Sequence, residues 1–146
     1  MTRSKRFEPI RDIMSNAAKD LSVAVGEAAR RVAEIERAVE QLKAYRDEYT
    51  RNVDGTGGAT DAVQLQNYRS FLDRLGEAMR VQTQALVAAR AEYERRHALW
   101  SAKRIEAETL DRAVGRFRQE ERRADDQREQ REVDDLALRI SADNRA

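Results

Sequence analysis

Apolar residues along the chain fall on a seven-residue grid in two long runs. In the first, Phe7, Met14, Leu21, Ala28, Ile35, Leu42 and Tyr49 recur at every seventh position, and Val25, Val32, Val39 and Val53 repeat that spacing with an offset of four. This is a heptad with the first series at d and the second at a, broken at a by Arg46. In the second run Leu65, Leu72, Met79, Leu86, Tyr93, Trp100, Ala107 and Val114 take a, while Tyr68, Leu75, Ala89, Leu110 and Phe117 take d. Gln82, Arg96 and Lys103 interrupt it. A seam this narrow is stable only when another helix covers it.

Between the runs lies Asp54-Gly55-Thr56-Gly57-Gly58-Ala59-Thr60, a stretch that breaks helices. Thr60 or Asp61 can cap the helix that follows, and Gln64 stands three residues after Asp61. No strand pattern precedes the glycines and no Gly-Lys-Ser/Thr follows them, so they read as a turn and not as a phosphate-binding loop. Two complementary seams joined by a short turn are expected to fold onto each other, because linkage keeps their effective concentration high. The expected fold is therefore all-α: one domain over 1–146, two long helices forming an antiparallel coiled-coil hairpin. Helix one is expected over about 9–53, the turn over 54–60 and helix two over about 61–140, extending beyond helix one.

Pro9 is placed in the first turn, where its missing N–H costs nothing. Gly26 costs about 1 kcal/mol of helix propensity, too little to split the repeat. Gly76 and Gly115 lie inside helix two and bear on how straight it runs. Counting outward from the turn sets Phe7 near Thr109 and leaves residues beyond about Phe117 without a partner. Residues 118–135 agree with that, being almost wholly charged, with Arg122/Asp126, Arg128/Glu132 and Arg131/Asp135 at i,i+4 spacing. Each such pair contributes about 0.2–0.5 kcal/mol, and less with Arg first. Val133, Leu136, Ala137 and Ile140 then restore an apolar edge.

The two edges of the expected pair differ. On the e edge stand Ser22, Glu36, Lys43 and Thr50 against Arg69, Thr83, Arg90, His97 and Arg104, a solvated set. On the g edge near the turn stand Ala38 and Tyr45 with Phe71 and Ala78, flanked by the d residues Leu42, Tyr49, Leu75 and Gln82. An exposed cluster of that kind is either a partner-binding patch or a place where Tyr45 and Phe71 cap each other.

Composition narrows the function. Charged residues make up 38% of the chain and aromatics 5%, so the apolar surface can line a seam but not fill a globule, and a rod is expected. The 28 basic and 27 acidic residues are interleaved, which disfavours a nucleic-acid binder. The chain has no cysteine, which removes disulfides and thiolate metal sites. Arg3, Lys5 and Arg6 are followed by Glu8, Pro9, Arg11 and Asp12 instead of an apolar run, so neither a signal peptide nor membrane insertion is expected, and a cytoplasmic protein is. Those three cations oppose the helix dipole and are either frayed and solvated or aimed at an acidic partner. His97 has no matched carboxylate or second histidine, and Asp125-Asp126 and Asp134-Asp135 lack the glycine-bearing loop of a calcium site. A pair of helices offers no pocket, so no enzyme activity, cofactor or metal is expected.

Gln41-Leu42-Lys43-Ala44-Tyr45-Arg46-Asp47-Glu48-Tyr49, then Leu65-Gln66-Asn67-Tyr68-Arg69-Ser70-Phe71-Leu72 with Leu75 and Ala78, then Trp100, then Arg128-Glu129-Gln130-Arg131-Glu132 with Asp134, Asp135 and Ala137, together resemble the FliJ family of flagellar export proteins. The resemblance covers nearly the whole chain, with Arg131 standing where the family's lysine is expected. It implies a non-enzymatic antiparallel coiled coil like the stalk of rotary ATPases, associated peripherally with the inner-membrane export apparatus. That stalk is set in the export ATPase ring and bridges it to the export gate protein FlhA, with an escort role towards export chaperones. The residues matching the gate-binding patch are Leu42, Tyr45, Tyr49, Phe71, Leu75 and Ala78, which largely coincide with the g-edge cluster. The stalk end is implied to comprise both termini, with Arg3, Lys5, Arg6, Phe117, Arg122, Arg128, Arg131 and Leu136 as candidates for the ring. Three functions follow: a monomeric stalk that promotes ATPase ring assembly and activity, an escort for export chaperones or substrates, or a plain spacer.

Overall fold

The computed structural model describes residues 1–55 and 61–145. The expected turn lies largely outside these, since α1 runs Arg3–Gly55 and α2 runs Ala62–Arg145. The fold is all-α, and α2 is the longer helix. Contacts divide the chain into two compact units, Asp20–Trp100 and Met1–Lys19 with Ser101 onwards.

In the Asp20–Trp100 unit the helices pack antiparallel. Tyr49 stacks on Tyr68 with ring centroids 5.5 Å apart, Glu36 lies 3.2 Å from Arg90, and Glu27 lies 3.8 Å from Arg96, so partner numbers fall on one helix as they rise on the other. Ile35, Val39 and Leu86 form the buried centre, with Val32, Ala85 and Ala89 packed against it. All six sit at a or d except Ala85 at g, which confirms the heptad reading. Arg96, at d, turns inward half-buried, because Ala24 and Ala28 opposite leave room for it. It donates to the Ala24 carbonyl at 3.1 Å and to Glu92 at 2.7 Å.

Glu92 also accepts from Arg95, and these two hydrogen bonds, Arg95's first, hold its carboxyl down to about 2. The folded value lies below the ordinary carboxylate value of about 4.3, so the stabilisation is fully present above that value. It is lost as the pH falls towards 2. An NMR titration is expected to place the Glu92 midpoint near 2. In Glu92→Gln the acid unfolding profile between about pH 4.5 and 2 is expected to lose that component.

The same unit carries Gly26 and Gly76 inside continuous helix, each with nothing within 4 Å of an added Cβ. Gly76→Ala is accordingly expected to raise stability by about 0.5–1 kcal/mol, read as a higher urea midpoint at unchanged slope.

In the other unit Phe7 meets Phe117 with ring centroids 5.4 Å apart, Arg11 reaches Asp111 at 3.6 Å, and Lys103 lies 3.9 Å from the Met14 sulfur. Val114 is fully buried and Ala18 nearly so. Phe7 thus lies against Phe117 and not near Thr109, roughly two helical turns further along α2. Partner numbers sum to 116 for Tyr45–Phe71, as the count from the turn gives, but to 126 for Glu36–Arg90 and 124 for Phe7–Phe117, so these outer contacts fall further along α2 than the count gives. Pairing continues past Phe117 to Glu121, whose carboxylate accepts from the Ser4 hydroxyl at 2.6 Å and the Ser4 backbone N–H at 2.9 Å.

That contact explains why α1 starts at Arg3 and not near Pro9. Three N–H groups ahead of the proline find acceptors: Ser4 on Glu121, Lys5 on the Thr2 hydroxyl at 3.4 Å, and Arg6 on the Thr2 carbonyl at 3.2 Å. Thr2 is therefore the N-cap, and the turn before Pro9 is held from α2. The hydrogen bonds from Ser4 also lower the Glu121 carboxyl below its ordinary value. Glu121→Ala is expected to abolish hydrogen-exchange protection over residues 3–8 while leaving the main unfolding midpoint nearly unchanged.

At its start α2 is capped as expected, Asp61 accepting from the Gln64 N–H at 2.7 Å. At its end it is helical to Arg145, past the expected limit near 140, and every described residue from Arg122 on is exposed. None of the three expected i,i+4 pairs forms there. Instead Arg128 reaches back to Asp125 at 3.5 Å, as an Arg leaning towards its N-terminus does.

Candidate partner-binding surfaces

Within the Asp20–Trp100 unit the two edges have different chemistry. The e edge is polar and its Glu36–Arg90 ion pair crosses between helices. His97 lies there between the rings of Tyr93 and Trp100, at 5.8 and 5.5 Å. The g edge carries the expected cluster. Phe71 lies edge-on to Tyr45 at 5.7 Å and tilted against Tyr49 at 4.2 Å, so Tyr49 is sandwiched between Phe71 and Tyr68. Tyr45 is 54% exposed, whereas Phe71 and Tyr49 are half-buried. The two readings of this pair therefore combine: the rings touch, yet one face of Tyr45 remains in water.

A shallow groove of about 560 Å³ adjoins the aromatic cluster, lined by Ala38, Leu42, Ala78 and Gln82 with Gln41, Arg74, Glu77 and Val81 at its rim. Small alanines at g leave the depression between the helices. Of the six patch candidates, Leu42 and Ala78 line the groove, and Tyr45, Tyr49 and Phe71 form the aromatic end. Leu75 is only 7% exposed, because its d position faces the seam. The rim residues Gln41, Arg74 and Val81 were not singled out by the heptads, since c positions count as solvated until the depth of the groove is known.

The ring candidates fall in the other unit. The Arg3 guanidinium lies over the Phe117 ring, 4.2 Å from its centroid, and Phe117 also packs on Phe7. Lys5, Arg6, Arg122, Arg128, Arg131 and Leu136 are exposed. Ser4 and Glu121, missed as a pair, tie the two sets together. Thr2 was the available signal, a capping residue just ahead of the basic triplet.

Among the described residues no group of three or more His, Asp or Glu side chains is placed to hold a metal, and no helix is long and apolar enough to cross a membrane. No curated protein and no solved structure matches the chain. The family model described as "Flagellar FliJ protein" matches residues 3–146. With essentially the whole chain matched, the protein belongs to the FliJ family and is a component of the flagellar protein export apparatus.

Proposed function

We propose that the protein is a non-enzymatic stalk that promotes assembly and activity of the export ATPase ring and links that ring to the export gate protein FlhA. The exposed edge of Tyr45 beside an alanine-lined groove is the observation that carries this reading. An aromatic side chain next to a small-residue depression is what a partner helix or loop can clasp. Leu42, Tyr49, Phe71 and Ala78 complete the contact, and Leu75 supports it from the seam. The bare end of α2, with the N-terminal cations, is assigned to the ring.

Purified protein is expected to raise the ATPase's turnover without hydrolysing ATP itself. No stimulation at any ratio contradicts the stalk. Tyr45→Ala with Phe71→Ala is expected to leave stimulation intact, weaken gate binding at least about tenfold and impair motility. Unchanged motility would leave only a spacer.

A second reading is favoured by Val133 and Leu136, 60% and 58% exposed on α2. An apolar edge on an unpaired helix suits an escort for export chaperones. A chaperone complex formed without the ATPase, and lost in Val133→Ser/Leu136→Ser, identifies that role.

A further inference from the structure

In the Asp20–Trp100 unit the apolar face is wider than two helices need. A two-helix coil is closed by a and d alone, yet here g continues the face, with Ala24, Ala38 and Tyr45 on α1 and Phe71, Ala78 and Ala85 on α2. On this edge lies a second depression beyond the one beside Tyr45. Its volume is about 270 Å³ and its floor is Ala28 and Ala89, with Glu27, Arg31, Glu92 and Arg96 around it. Half-buried Ala85 falls between the two floors on α2. From Tyr45 to Ala28 the helix rises about 25 Å, room for four to five turns of another helix.

The walls of this groove carry opposite charge. The c positions of α1 hold Glu27, Glu34, Gln41 and Glu48, whereas those of α2 hold Arg74, Val81, Ala88 and Arg95. Arg31 and Glu92 at g run against that pattern, but each is answered on its own helix, Arg31 by Glu34 at 3.9 Å and Glu92 by Arg95 at 2.6 Å. Glu77, on the same rim, is held by Arg80. Glu48 and Arg74 are exposed, and neither forms an ion pair with a described residue.

A long apolar floor between an acidic and a basic wall fits an amphipathic helix. Its apolar stripe lies on the alanines, which let backbones approach closely, while its basic flank faces α1 and its acidic flank faces α2. An extended peptide is disfavoured there, because the backbone groups of α1 and α2 are spent within their own helices and offer no edge to pair with.

We infer that the g edge from Tyr45 to Arg96 is a receptor for one helix of a protein partner, basic along one flank and acidic along the other. The inference rests on the reading of Tyr45 and its groove as the gate-binding face, and adds the kind of element the partner offers. Opposite walls also fix its direction, since turning the helix end for end sets like charges against both walls.

The probe is a synthetic peptide of about 18 residues with a Leu/Ala stripe, Lys along one flank and Glu along the other, unfolded when free and dilute. The full chain is expected to bind it and drive it helical, read as circular dichroism beyond the sum of the components. A peptide with exchanged flanks is expected to bind equally but in the opposite direction, read from the broadening caused by a spin label on its N-terminus. Peptides with both flanks Lys or both Glu are expected to bind at least about fivefold more weakly. Ala38→Gln/Ala78→Gln, which fills the floor, is expected to weaken binding at least about tenfold. Ala29→Gln/Thr83→Gln, on the exposed e edge, is expected to change it by less than about twofold. The helix content of the free variants checks that both fold. No binding, binding without added helix, equal affinity for the one-signed peptides, a common direction for both mixed peptides, equal loss in the e-edge variant, or self-association of the chain through the groove overturns the receptor. Wild type that binds the peptide but not the gate protein removes the gate reading alone, and wild type that binds the gate protein but not the peptide removes the receptor alone.

Discussion

Ile35→Ala is expected to destabilise the protein by about 2–5 kcal/mol, seen as a large drop in the urea midpoint. Ile35 is 4% exposed and packs with Val39 and Leu86 at the centre of a core only two helices thick. No third element can close over the space that the lost methyls leave, so the transfer loss and the cavity add. Isolated helices gain little from propensity alone and depend on the packing of this stripe. Val133→Ala, on an exposed stretch, is the contrasting change, expected within about 0.5 kcal/mol of wild type.

Ending the chain after Glu121 is expected to have the largest functional effect with almost no effect on stability. Every described residue from Arg122 on is exposed, so its removal uncovers no apolar seam. Glu121 itself stays, and with it the acceptor that holds the first turn of α1. The truncated protein should unfold at the wild-type urea midpoint, with helix content reduced only by the missing residues. Stimulation of the export ATPase should disappear, because four of the residues assigned to the ring, Arg122, Arg128, Arg131 and Leu136, leave with it. Binding to the gate through Tyr45 and its groove should survive. Full stimulation by the truncated chain would show that the extension is dispensable for the ring.

The seam was legible because each apolar residue at a or d has only one dry place to go. Even the interruptions obeyed it: Arg96 and Lys103 keep their d positions and turn inward, finding acceptors or sulfur instead of escaping to solvent. The start of α1 was not legible. Pro9 looks like a first-turn residue, and what moves the start back to Arg3 is a carboxylate 117 positions away from Ser4. No local pattern contains that information. The pairing of Phe7 was misplaced for a related reason, since a count from the turn holds for Tyr45–Phe71 but assumes one constant sum of partner numbers, which Glu36–Arg90 and Phe7–Phe117 do not keep. Of the surface patch, the aromatic end could be read from the g positions Tyr45 and Phe71 with Tyr49 at d. Ala38 and Ala78 were read from the same edge, but that they floor a groove rimmed by Gln41, Arg74 and Val81 shows only once the helices are side by side. Burial of Leu75 followed from its d position all along.

The doubling of the chain onto itself is tested most directly by the distance between residues 36 and 90. The protein has no cysteine, so Glu36→Cys/Arg90→Cys carries two spin labels and no others. Measured by pulsed dipolar spectroscopy in an excess of unlabelled protein, the labels should lie within about 25 Å, since the native side chains meet at 3.2 Å. A distance near 80 Å, the length of one helix running straight through both positions at about 1.5 Å per residue, would contradict the antiparallel pairing.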